Sequence, residues 1–155
     1  MRATLIPASR LLCLSTALFL LAGTEMHAQA ADMKFQAFLL WGTDDDKPPE
    51  GKTYKPVDPE IRQKLKDLPF KWAHWFEVNR VELAVAAGAT KEVPISEKCK
   101  LIVKRLPGSE LEVSLLGKGK EVVKRKQPLP KGETLVLGGN APNATAWLVV
   151  LKRIE

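Results

Sequence analysis

The sequence predicts an all-β fold, mainly antiparallel: a β-sandwich of about eight short strands with one short helix near the N-terminus of the mature chain. Three observations carry this expectation. Apolar and polar residues alternate with a period of two over most of the chain. Turn signals recur at Gly88, Pro107-Gly108, Gly117-Lys118-Gly119 and Pro128, close to the spacing found in sandwiches and barrels. A single helical stripe interrupts them, whereas a parallel α/β sheet needs a crossover helix between most strands. A small Greek-key barrel is the alternative, and no internal repeat or low-complexity tract is visible.

The first thirty residues read as a cleaved secretory signal peptide. Arg2 and Arg10 make a basic start, residues 11–22 are an apolar run, and Ala28-Gln29-Ala30 offers a small-x-small cleavage site. The run is shorter than the ~20 residues that a membrane-spanning helix needs. Cys13 lies inside the run rather than at its end, so it is expected to leave with the signal. This divides the chain into residues 1–30, removed on export, and a single domain of residues 31–155. After signal cleavage no transmembrane segment is expected, and the protein is secreted or periplasmic.

In the mature chain, Phe35, Ala37, Leu39 and Trp41 share one parity against Lys34 and Gln36. Residues 33–41 therefore form a strand, buried on both faces where Phe38, Leu39 and Leu40 follow one another. Residues 42–58 read as a loop, because Asp44-Asp45-Asp46 and Pro48-Pro49 support no apolar period. Asp58 is a good N-cap with Pro59 at the first helical position. Glu60 suits the helix start, Lys64 and Lys66 its end, and Ile61, Leu65 and Leu68 make one apolar stripe that Pro69 ends. Phe70, Trp72, His74, Phe76 and Val78 then share one strand face, and the alternation resumes out of step at Val81, Leu83 and Val85. Residues 92–95 carry Pro94 and read as an edge. Strands follow at residues 99–106, 111–115, 120–126, 134–137 and 145–154. An outer-membrane barrel fits poorly, since the strands are short and their outer faces carry Glu110, Glu112, Lys120, Lys124 and Lys126.

Composition limits the chemistry. The full chain carries 24 Lys and Arg against 18 Asp and Glu. Loss of Arg2, Arg10 and Glu25 leaves 22 against 17, a net charge of +5. His74 and Cys99 are then the sole histidine and cysteine, so no disulfide forms within the chain. Cys99 is either a buried thiol or a bridge between two chains. Transition-metal sites need several such ligands, and Asp44-Asp45-Asp46 lacks the spacing of a calcium loop, so neither a metal nor a cofactor is expected. No nucleophile elbow, zinc-protease helix or phosphate loop is present. His74 reads as part of an aromatic core, and the protein is expected not to be an enzyme.

Binding is the remaining class. The candidate residues are Trp41 and Trp75, the acidic loop Asp44, Asp45 and Asp46, and the lysines Lys118, Lys120, Lys124 and Lys126, which share one parity. Trp72 and Trp147 read as core. The first expectation is a protein-binding or envelope-organising module with an unidentified protein partner. The second is a module for anionic glycan or lipid headgroups, held by a lysine-rich sheet face. The same lysines also serve to blunt sheet-to-sheet aggregation. A carboxylate-based hydrolase is the third. An exported protein is not expected to bind nucleic acid. Asn143-Ala144-Thr145 matches a glycosylation sequon, meaningful in a eukaryotic secretory pathway.

Overall fold

The computed structural model describes residues 30–140 and 145–155; residues 1–29, which hold most of the expected signal peptide, and the sequon residue Asn143 lie outside them. Nine strands and one helix occur in the order β1 (Met33–Thr43), β2 (Lys55–Pro56), α1 (Pro59–Lys66), β3 (His74–Val85), β4 (Thr90–Ser96), β5 (Cys99–Arg105), β6 (Glu110–Gly117), β7 (Lys120–Pro128), β8 (Thr134–Asn140) and β9 (Ala146–Arg153). All pairings are antiparallel. One sheet has the order β2-β3-β1-β9-β8 and the other β4-β5-β6-β7. The chain is thus the expected sandwich and not a closed barrel. The strand beyond the expected eight is β2, a two-residue bridge inside the predicted loop.

The sheets close on a core of alternating side chains. Phe35, Leu39, Leu83, Val85, Leu137, Val149 and Leu151 from the five-stranded sheet meet Ile95, Leu101, Val103, Leu111, Val113 and Leu115 from the other. Removing such side chains from water supplies about 1.5–3 kcal/mol each. The opposite face of the five-stranded sheet is covered by α1, where Phe38, Leu40, Leu148 and Val150 pack on Val57, Ile61 and Leu65. This makes three layers, with β1 in the middle one. It explains why β1 alternates at its start and is continuously buried from Ala37 onward.

The helix begins as its sequence requires. Asp58 Oδ1 accepts from the Glu60 backbone N–H at 3.0 Å, and the Asp58 carbonyl accepts from Arg62 at 2.9 Å. Pro94 sits in β4, an edge strand, where its missing N–H costs no ladder bond. The β6–β7 hairpin turns on Lys118 and Gly119, with φ of 50° and 77°, the left-handed pair that a two-residue hairpin demands. Arg105, although buried, has partners: its Nη1 donates to the Ala31 carbonyl at 2.7 Å and to the Val85 carbonyl at 3.4 Å.

The structure corrects three local expectations and accounts for one break in parity. The strand expected from Phe70 begins at His74. The Ala73 N–H is taken by Asp44 Oδ1 at 3.3 Å and Phe70 N–H by the Leu68 carbonyl at 2.7 Å, so residues 70–73 cannot join a ladder. His74 consequently lies exposed at the strand tip, not in an aromatic core. A β-bulge opposite Leu39 and Leu40 leaves Val78 unpaired, which is the physical origin of the broken parity between Val78 and Val81. Trp147, expected in the core, is 39% exposed. It lies one step beyond Val149, the last β9 residue on that side held in the core, and faces the same way as its partner Trp41.

Candidate functional site

A cluster of aromatic and charged groups lies where α1 meets the start of β3. An eight-residue helix leaves part of the sheet uncovered, and the segment after Pro69 fills the gap with rings. Trp72 and Trp75 have opposite parities in the sequence, yet their ring centroids are 6.0 Å apart and edge-to-face. The irregular backbone of residues 70–73 is what allows this. Phe70 joins them, 5.5 Å from Trp75 and 6.4 Å from Trp72. Trp75 lies directly over Gly42, its neighbour across the β1–β3 ladder. A Cβ at residue 42 would stand 2.6–2.9 Å from three atoms of its six-membered ring. Glycine at 42 is therefore what lets the indole rest flat on the sheet.

These rings form the floor and wall of a cavity of about 490 Å³. Arg62, Leu65 and Lys66 of α1 form the facing wall, and Asp46, Pro56, His74 and Phe76 complete it. Arg62 and Lys66 are one helical turn apart, on one side of α1. Both are exposed, and neither is in an ion pair among the described residues. Lys71 Nζ sits 5.4 Å from the centroid of the Trp72 ring.

The three aspartates of the predicted loop have separate tasks. Asp44 fixes Ala73, and Asp45 turns back on Thr43, whose Oγ1 accepts its backbone N–H at 3.2 Å. Asp46 alone lines the cavity. Of the two tryptophans singled out, Trp75 is half-buried and lines the cavity. Trp41 is 7% exposed under Tyr54 and Phe76, so it is a packing residue and not a binding platform.

The lysine stripe does not form as read. A bulge at Val122 reverses parity along β7, so Lys120 pairs with Gly117 while Lys124 and Lys126 pair with Ser114 and Glu112 on the outer face. Lys118 is in the hairpin turn. On the outer face, Lys124 lies 3.4 Å from Glu112 and 4.0 Å from Glu121, Lys126 lies 3.6 Å from Glu110, and Lys100 is paired with Glu92. Lys100, Lys124 and Lys126 each answer a glutamate across the ladder, a pattern that alternation along one strand cannot reveal, while Lys104 on the same face is in no ion pair among the described residues.

A second cavity of about 540 Å³ is lined by Lys55, Asp58, Glu77, Asn79 and Arg80. Its two carboxylates, Arg80 and Asn79 already have partners. Arg80 binds Glu77 through Nε and Nη2 at 3.1 and 2.8 Å and covers Phe38 at 4.5 Å. Asn79 donates to the Ile95 carbonyl at 2.8 Å, and Asp58 caps α1. The first cavity differs in placing two cations without ion-pair partners beside aromatic rings.

Arg62 and Lys66 were invisible as site residues in the sequence. Lys66 read there as a favourable charge at the helix end and Arg62 gave no signal, and only the fold of residues 70–76 brings both beside aromatic rings. Cys99 is half-buried against the main core, and burial pushes its thiol pKa up. Among the described residues no helix is long and apolar enough to cross a membrane. No family model, curated protein or solved structure matches this chain, so the meaning of the site rests on its own residues.

Proposed function

We infer that this is an exported binding module, acting without catalysis, and that its ligand is anionic. The cavity between α1 and residues 70–76 is the site. The observation that carries the reading is the pair Arg62 and Lys66, unpaired with acids and facing an aromatic wall in a concave space. On the outer sheet face Lys100, Lys124 and Lys126 are matched by glutamates, so an anion gains less there. The carboxylates nearest the second cavity are already engaged in capping and pairing, which favours binding over carboxylate hydrolysis. The N-terminal signal sequence supports export. Isotope-labelled protein titrated with sulfated dextran tests the site. Amide shifts confined to α1 and residues 70–76, weakened by salt, are expected. Shifts centred on Lys124 and Lys126 would move the site to the outer sheet face, and no shifts would end the anionic reading.

A protein partner is the second reading, and Trp147 favours it. It is a tryptophan 39% exposed, in register with Trp41 at the end of the sheet. Exposed tryptophans of this kind anchor protein interfaces. A partner captured by the wild-type chain, resistant to high salt and lost with Trp147→Ser, would establish this reading.

A further inference from the structure

We propose that the anionic ligand is an acidic saccharide, held with a sugar ring against Trp75 and its acid group between Arg62 and Lys66. This rests on the reading of the cavity as an anion site and specifies what kind of anion fits. Two features select a sugar acid over a bare phosphate. The first is Asp46, which lines the same cavity as the two cations. A carboxylate repels phosphate but accepts hydrogen bonds from sugar hydroxyls, so a site with both signs suits a molecule carrying both an acid and hydroxyls. The second is the aromatic wall. The C–H groups of a pyranose ring are weakly positive and meet the negative face of an indole, while a phosphate gains nothing there.

The geometry holds the parts in place before any ligand arrives. Trp75 is fixed from below by Gly42 and at its edge by Trp72 and Phe70. The loop that carries Asp46 is tied down two residues earlier by the Asp44–Ala73 bond. The ordering left to binding is mainly that of the exposed Arg62 and Lys66 side chains.

Calorimetry with four probes tests the proposal: trigalacturonate, its methyl ester, tripolyphosphate and phosphatidylglycerol vesicles. Trigalacturonate is expected to bind best. The methyl ester keeps the rings and loses the charges, and is expected to bind at least about tenfold more weakly, the equivalent of one charge-assisted contact. Tripolyphosphate, with charge and no ring, is expected to be weaker still. The double variant Arg62→Ala with Lys66→Ala alters exposed side chains only, and is expected to weaken trigalacturonate at least about tenfold. Trp75→Phe keeps the packing while reducing the ring, and Asp46→Asn keeps the shape; both are expected to weaken trigalacturonate, while tripolyphosphate is unchanged by Trp75→Phe and strengthened by Asp46→Asn, which removes the repelling charge. Equal or better binding of tripolyphosphate, with both of these variants neutral, would overturn the saccharide inference and leave the anion site standing. Vesicle binding lost in the double variant, without trigalacturonate binding, would replace the sugar with a lipid surface. No binding of any probe would overturn both readings.

Discussion

The contact between Gly42 and Trp75 ties the fold to the site, and it is open to a test by sign. In Gly42→Ala the new Cβ would stand 2.6, 2.7 and 2.9 Å from Cζ3, Cη2 and Cε3 of Trp75. Carbon atoms in ordinary contact are about 3.5–4.0 Å apart, so the indole must withdraw by about 1 Å. It cannot do so freely, since Phe70 and Trp72 stand at its edge. Overpacking of this kind costs about 1–3 kcal/mol, and the smaller chain entropy of alanine returns about 0.5–1 kcal/mol. A net loss of about 1–2 kcal/mol is expected in urea unfolding followed by far-UV circular dichroism, with an altered near-UV tryptophan signal. In a Trp75→Ala background the overlap is gone, and the same Gly42→Ala change should stabilise by about 0.5–1 kcal/mol. Equal destabilisation in both backgrounds would refute the reasoning, because the coupling between the two positions would then be zero.

Three further outcomes follow from named contacts. Lys118→Asn, at a position with φ of 50°, is expected to stabilise the β6–β7 hairpin by about 0.5–1 kcal/mol in urea unfolding, since asparagine tolerates the left-handed conformation that lysine resists. Arg105→Met removes the charge-assisted bonds to the carbonyls of Ala31 and Val85 and leaves the Val85 acceptor buried, for an expected loss of about 1–3 kcal/mol by the same assay. Lys34 Nζ, 2.6 Å from Glu155, holds the Glu155 carboxyl below its ordinary value. A depressed acid contributes its stabilisation above its unfolded value and loses it as pH falls through the folded one. Thermal unfolding across the acid range should therefore be flatter for Glu155→Gln than for the wild type. The difference should shrink with added salt, the pair being exposed.

Much of the architecture could be read from the chain because period-two alternation, turn residues and a capped helix are local signals. Asp58-Pro59 and the stripe of Ile61 and Leu65 place α1 where the structure has it. The double burial of β1 follows from its run of Phe38, Leu39 and Leu40. What escaped was set by long-range pairing. The bulges at Val78 and Val122 each insert one residue, and each reverses the face of everything beyond it. The first joins two apparently conflicting parity runs into one strand. The second separates Lys118 and Lys120 from Lys124 and Lys126, and so removes the basic stripe. Asp44 escaped for another reason: its bond to Ala73 spans 29 residues and has no local signature.

The site itself arises from a mismatch of lengths. Eight helical residues span about 12 Å at 1.5 Å each, whereas the 11 residues of β1 span about 36 Å. A helix so short shields Phe38 and Leu40 but cannot roof the end of the sheet, where β1 meets the start of β3. The chain covers that end with rings instead of a second helix, and rings with flat faces leave a cleft that interdigitating aliphatic side chains would fill. Phe70, Trp72 and Trp75 therefore serve stability and site at once. For the same reason the last turn of α1 ends beside the rings, and the cations that favour a helix C-terminus at Lys66 also charge the cleft. Lengthening α1 by one apolar turn before Pro69 should then raise stability and close the cavity together. Separation of those two effects would show that the rings are not substitutes for missing helix.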